Sequence, residues 1–193
     1  TTSVGKHFKK LGYTVYSNDI MEFSYIFSKT FIELNYEPEF KKLKSKLHLK
    51  DNIKSVFDYL NNLDYEKEGF IFGNYSPNGG RMYVTDENAL KIDTYRTLFE
   101  EWKTEGVIDE TEYYYLMTSL FSGIDLISNV TGSYSAYLKN WEPRALKPLI
   151  LKEVPIIKSK EKNLAFKEDA NRLIKKIKPD ILYLLKSMVL EKH

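Results

Sequence analysis

The acidic residue with the clearest chemical setting is Asp19. It follows a β-branched and aromatic run, residues 13–17 (YTVYS), that reads as a strand ending at Asn18 and Asp19. A carboxylate at the end of a strand in an α/β layer can accept both hydroxyls of a ribose, as dinucleotide-binding folds do. Asp19 with Glu22 is also a helix-capping pattern, so residue types alone leave both roles open. A second chemical feature lies over residues 139–162. There Lys139, Arg144, Lys147, Lys152, Lys158, Lys160 and Lys162 face only Glu142, Glu153 and Glu161, beside Tyr134, Tyr137 and Trp141. Cations interleaved with aromatics suit phosphates and bases, and a solvated lysine-rich face has the same composition.

Several chemistries are excluded. The chain has no cysteine, hence no disulfide framework and no thiolate zinc site. His7, His48 and His193 are far apart in sequence and suggest no metal cluster. A formal net charge of +2 gives no general electrostatic case for nucleic acid. No apolar run approaches the ~18 residues of a membrane helix and no signal peptide is visible, so a cytoplasmic protein without a membrane partner is expected.

The elements that must position these residues follow from periodicity. With 193 residues, 42% of them apolar, the chain can bury a core as one domain or as one domain with an insertion. Val4, Phe8 and Leu11 repeat at helical spacing up to Gly12, the strand of residues 13–17 follows, and Ile20, Phe23, Phe27, Phe31 and Leu34 mark a second helix. This is the grammar of an α/β layer fold. The middle is different. Residues 39–50 and 52–61 read as helices, 70–75 (FIFGNY) as a strand, and 77–80 (PNGG) as a turn. Ile92, Tyr95, Phe99 and Trp102 mark one more helix, and Asp109 with Glu112 forms a capping box opening another through Leu116, Leu120 and Ile124. The α/β pattern then resumes, with β-prone residues 149–157, a helix over 169–177 closed by Lys178-Pro179, and an apolar strand over 180–184 (DILYL). The expected organisation is a discontinuous, incomplete core of residues 1–35 and 150–193, interrupted by a helical insertion over 36–149.

Three segments, in this order and spacing, resemble the adenine-N6 DNA methyltransferases whose catalytic loop reads Asp-Pro-Pro-Tyr. They are residues 1–19 (TTSVGKHFKKLGYTVYSND), 128–149 (SNVTGSYSAYLKNWEPRALKPL) and 167–184 (KEDANRLIKKIKPDILYL). Residues 69–93 (GFIFGNYSPNGGRMYVTDENALKID) have the look of one branch of that family. The resemblance implies a Rossmann-like sheet binding S-adenosylmethionine. In it, Asp19 holds the ribose, Asp169 with Ala170 borders the cofactor adenine, and Thr2, Ser3 and Gly5 lie near the methionine portion. The insertion becomes a target-recognition region for double-stranded DNA, with Asn129 reading a base edge, Tyr134 or Tyr137 stacking, and Lys139 and Arg144 on phosphates. A restriction–modification setting with a cognate endonuclease follows from the family. Each residue also has a plainer role: Thr2, Ser3 and Asp169 as caps, the tyrosines as packing.

The sequence departs from the family after Leu184, continuing with Leu185, Lys186 and Ser187 rather than Asp-Pro-Pro-Tyr. The loop that orients the adenine amine is therefore not among these residues, no catalytic residue is assigned, and the chain by itself is expected to be inactive. Two other readings remain: a methyltransferase remnant that binds DNA or nucleotide, and an unrelated α/β nucleotide-binding protein with a helical interaction domain.

Overall fold

A computed structural model describes residues 2–65, 67–132 and 135–177, and the backbone of Tyr183–Leu185. The chain divides into two units, residues 1–38 with 155–193, and residues 39–154.

In the first unit, helix α1 (Ser3–Lys10) ends in a Schellman motif. The Tyr13 and Gly12 amides donate to the carbonyls of Phe8 and Lys9, Gly12 is in the left-handed region (φ 84), and the Tyr13 ring meets Phe8 edge-on at 5.6 Å. That cap uses Tyr13, so strand β1 begins later than expected, at Tyr16–Asn18. β1 is the central strand of a three-stranded parallel sheet, between β2 (Leu164–Phe166) and β3 (Tyr183–Leu185). Ser17 is opposite Ala165 on one side and Leu184 on the other, so β1 pairs directly with two strands from the far end of the sequence. The expected strand over 180–184 thus appears as β3; its first residues, 180–182, and Lys178-Pro179 lie outside the described residues. Helix α2 (Glu22–Ser28) continues into a π-helix (Lys29–Glu33). The expected helix over 169–177 is only four residues, α8 (Ala170–Leu173). Past it the Lys176 amide bonds to Leu173, a tighter turn that ends the α geometry.

Lys9, on the inner face of α1, is 1% exposed and donates to the carbonyls of Leu34 and, at 3.5 Å, Phe31. Burial pushes its pKa down to about 8. A lysine whose folded pKa lies below its unfolded value of about 10.4 weakens the fold at low pH, where both states are charged. That penalty lifts as pH rises from about 8 towards 10.4, because there only the unfolded chain still binds the proton. Relative to Lys9→Gln, which keeps a donor without a charge, the native chain should gain stability across this window in urea titrations. Parallel midpoints would rule out a buried charge at Lys9.

The second unit is helical: α3 (Lys41–Lys46), α4 (Ile53–Asn61), α5 (Phe70–Tyr75), a 3-10 turn (Pro77–Gly79), α6 (Asp86–Thr104) and α7 (Glu110–Ile127). Its core is formed by Leu43, Val56, Leu60, Tyr95, Phe99, Tyr115, Leu116 and Leu120. Three helix starts follow local chemistry: Asn52 caps α4, Thr85 caps α6, and Asp109 with Glu112 closes both arms of the capping box of α7, worth about 1 kcal/mol.

Two expectations for this unit are corrected. Residues 70–75 are helix, not strand. The Asp93 carboxylate, from α6, accepts the amides of Ile71 (3.1 Å) and Phe72 (2.8 Å), satisfying two open donors of α5 from across the fold. Residues 149–157, β-prone in sequence, are in no sheet. Over residues 149–154 the backbone bonds go to side chains of the helices. The Leu149 amide donates to Asn88, the Leu151 amide and carbonyl pair with Asn61, Lys152 pairs with Ser119, and Val154 pairs with the Tyr115 hydroxyl. The strand that does join the sheet, Leu164–Phe166, was not expected from sequence. It is pinned by Asn163, whose side chain accepts the Val15 amide at 2.8 Å.

Candidate cofactor site and nucleic-acid surface

At the carboxyl end of the sheet the backbones of β1 and the segment after β2 are laced together. The Asp19 amide donates to Phe166 at 3.2 Å. The buried Asn18 side chain then pairs with the Glu168 backbone in both directions, donating to its carbonyl (2.9 Å) and accepting from its amide (3.1 Å). This lacing carries Asp19 and Asp169 to the same end of two adjacent parallel strands. Asp19 is 8% exposed, and its Oδ1 accepts the Met21 amide at 3.0 Å. It is not the N-cap of α2; that position is Met21, which makes no side-chain cap bond. Among the described residues Asp19 Oδ2 takes no hydrogen bond, leaving an acceptor at the strand end. Asp169 is exposed and caps α8, its Oδ1 taking the Arg172 amide at 3.0 Å, with Ala170 first in that helix.

Thr2, Ser3 and Gly5 open α1. Thr2 is the N-cap but makes no side-chain bond, Ser3 is exposed and Gly5 is buried. Helix α1 packs on the π-helix, with Lys6 Nζ 4.3 Å from the centre of the Phe31 ring. Among the described residues no hydrogen bond ties Thr2, Ser3 or Gly5 to the two aspartates.

The helical unit places the remaining candidates around Asn129, which does not fit the base-reading role. It is 0% exposed, and each of its polar groups is engaged within the protein. Its Nδ2 donates to the Met82 and Leu138 carbonyls, both at 3.0 Å, and its Oδ1 accepts the Glu142 amide at 3.1 Å. Its backbone amide donates to Tyr83 at 2.8 Å. Asn129 therefore stitches residues 82–83 to residues 138–142 and presents no edge to a base. Around it, Tyr137 forms an antiparallel bridge with Val130, its ring edge-on to Tyr83 at 5.1 Å. Arg144 is exposed and donates to the Val130 carbonyl at 2.9 Å, and Lys139 is exposed. Tyr134 lies outside the described residues. The opposite charge collects elsewhere in this unit, where a cavity of about 680 Å³ is lined by Asp93, Glu100, Glu101 and Glu105 against the single cation Arg96. A polyanion would be repelled there. Among the described residues no group of histidine and acidic side chains could hold a metal ion, and no helix is long and apolar enough to cross a membrane.

Open sheets of parallel strands take ligands beyond their carboxyl ends, so Asp19 is where a cofactor-binding α/β protein would place an acid. The chain belongs to the D12 class of N6 adenine-specific DNA methyltransferases, whose family model matches residues 1–184. It is 45% identical over 188 residues to the type II methyltransferase M.FokI of Planomicrobium okeanokoites and 43% identical over 186 residues to the modification methylase StsI of Streptococcus sanguinis. Each alignment covers 95% of this chain and 28% of the relative. It is 35% identical over 191 residues to the type II methyltransferase M.NlaIII of Neisseria lactamica, covering 95% of this chain and 52% of that protein. The chain therefore spans between about a quarter and a half of the length of these relatives. No solved structure matches it.

Proposed function

We propose that this protein serves in site-specific methylation of adenine N6 in double-stranded DNA, with S-adenosylmethionine as methyl donor, inside a restriction–modification system. The observation that carries the reading is Asp19: a nearly buried carboxylate at the end of the central parallel strand, with one oxygen held by a backbone amide and the other uncommitted. In this reading the three strands belong to a Rossmann-like sheet and Asp19 takes the ribose hydroxyls. Asp169 and Ala170 border the cofactor adenine, and Thr2, Ser3 and Gly5 line the turn beside the methionine portion. The helical unit meets the duplex through Tyr134, Tyr137, Lys139 and Arg144. A cognate endonuclease would cut the unmodified site, and both proteins would act in the cytoplasm.

Adenine N6 is a weak nucleophile, because its lone pair is delocalised into the ring, and it is paired inside the duplex. Its reaction requires an extruded base and acceptors that orient the amine. The Asp-Pro-Pro-Tyr loop that supplies those acceptors in the family is absent from these 193 residues. The chain alone is thus expected to bind cofactor and DNA but transfer nothing. The test is incubation with tritiated S-adenosylmethionine and adenine-containing duplex, with bound and DNA-incorporated label counted separately. Protein-dependent label in DNA would refute the dependence on the loop, and absence of bound label would refute the cofactor assignment.

A further inference from the structure

The turn over residues 76–83 is tied at several points by hydrogen bonds. The Asp86 carboxylate takes both the Ser76 hydroxyl and the Asn78 amide. Gly80 is in the left-handed region (φ 72), and a Cβ on Gly79 would come within 2.3 Å of the Gly73 carbonyl oxygen. The Tyr83 and Val84 amides both return to the Tyr75 carbonyl, and Asn129 grips the next two carbonyls, Met82 and Tyr83. The side chain this turn displays is Arg81. It is exposed, one guanidinium nitrogen is fixed on the Asn74 carbonyl at 2.7 Å, and among the described residues no carboxylate pairs with it. Its Nε and Nη2 edge remains open, a fork matched to two adjacent acceptor oxygens or nitrogens. Through the Asn129 stitch, Arg81 is one residue from a carbonyl that Asn129 holds, and Arg144 is fixed on the neighbouring Val130 carbonyl.

We propose that the turn over residues 76–83 is a DNA-contacting element, with Arg81 gripping a pair of acceptors on the duplex through its open guanidinium edge. This rests on the reading of the helical unit as the DNA-binding part. Charge complementarity argues for it: Arg81 and Lys139 adjoin the two residues whose carbonyls Asn129 holds, Arg144 is fixed on the Val130 carbonyl, and the carboxylate of Asp86 is engaged by its own turn. The acceptors are two phosphate oxygens or the O6 and N7 of a guanine; both present the same geometry.

The test is fluorescence anisotropy of the full chain with a fluorescein-labelled duplex pool of randomised centre, at several salt concentrations. Arg81→Ala should weaken binding about tenfold. Arg81→Lys, which keeps the charge and a donor for Asn74, should not restore it, while Lys54→Ala, on an exposed cation paired with Asp58, should bind as the native chain does. A salt slope shallower by about one in Arg81→Ala assigns the phosphate. An unchanged slope, with the difference abolished when deazaguanine removes the N7 acceptor, assigns the guanine. Equal binding by the native chain and both Arg81 variants would overturn the inference and leave the DNA reading standing. No binding by the native chain would overturn both.

Discussion

Asn129→Ala should lower the stability of the helical unit by about 3–5 kcal/mol, the largest single-residue effect expected in this chain. Truncation would leave the carbonyls of Met82 and Leu138 and the amide of Glu142 without the one fully buried side chain that meets all three. Each buried polar group left unpaired costs about 1–3 kcal/mol, and because the three share one side chain the total falls short of their sum. Set against a domain stability of about 5–15 kcal/mol, such a loss is readily measured. Asn129→Asp is the sharper comparison. It is isosteric, but it replaces the amide donor with a buried carboxylate facing two carbonyl oxygens, so it should be at least as damaging. Urea unfolding gives both midpoints. A change below about 1 kcal/mol in either variant would return Asn129 to the pool of surface residues and reopen its base-reading role.

The contrast between Asn129 and Asp109 explains what was legible in the sequence. Asp109 and Glu112 answer each other within four residues, so their capping box is readable and the structure forms it. The Schellman end of α1 is equally local. Elements whose partners lie far away were not readable. Residues 70–75 have strand-like composition and become helix because Asp93, some twenty positions on, caps them. Residues 149–154 are β-prone in composition, but the side chains of Asn61, Asn88, Tyr115 and Ser119 take the place of neighbouring strands. The three residues of β2 carry no pattern of their own and are set by β1 and Asn163. In the candidate sites, the strand-end position of Asp19 follows from the run before it. Asn129 misleads because a buried hub and an exposed reader share one side chain. The PNGG turn is visible in sequence, but the side chain it holds out, Arg81, is singled out only by its three-dimensional ties.

Asp19→Asn should reduce affinity for S-adenosylmethionine by about ten- to a hundredfold while leaving the melting temperature almost unchanged. The amide keeps an oxygen for the Met21 N–H, so the turn after β1 survives. What it loses is the negative charge and the second acceptor that a ribose diol requires. A charge-assisted hydrogen bond of this kind is worth about 1.5–3 kcal/mol. Asp19→Ala removes the turn bond as well, so it should lose comparable affinity and also about 1 kcal/mol of stability. Pairing the two variants separates the roles that residue types alone left open. A structural Asp19 predicts normal cofactor binding by Asp19→Asn, whereas a ribose ligand predicts that both variants bind poorly and only one melts early. Titration calorimetry beside thermal melts reads both quantities on the same samples. Native affinity in Asp19→Asn would remove the acid from the cofactor site, and with it the observation on which the methyltransferase reading of this sheet rests.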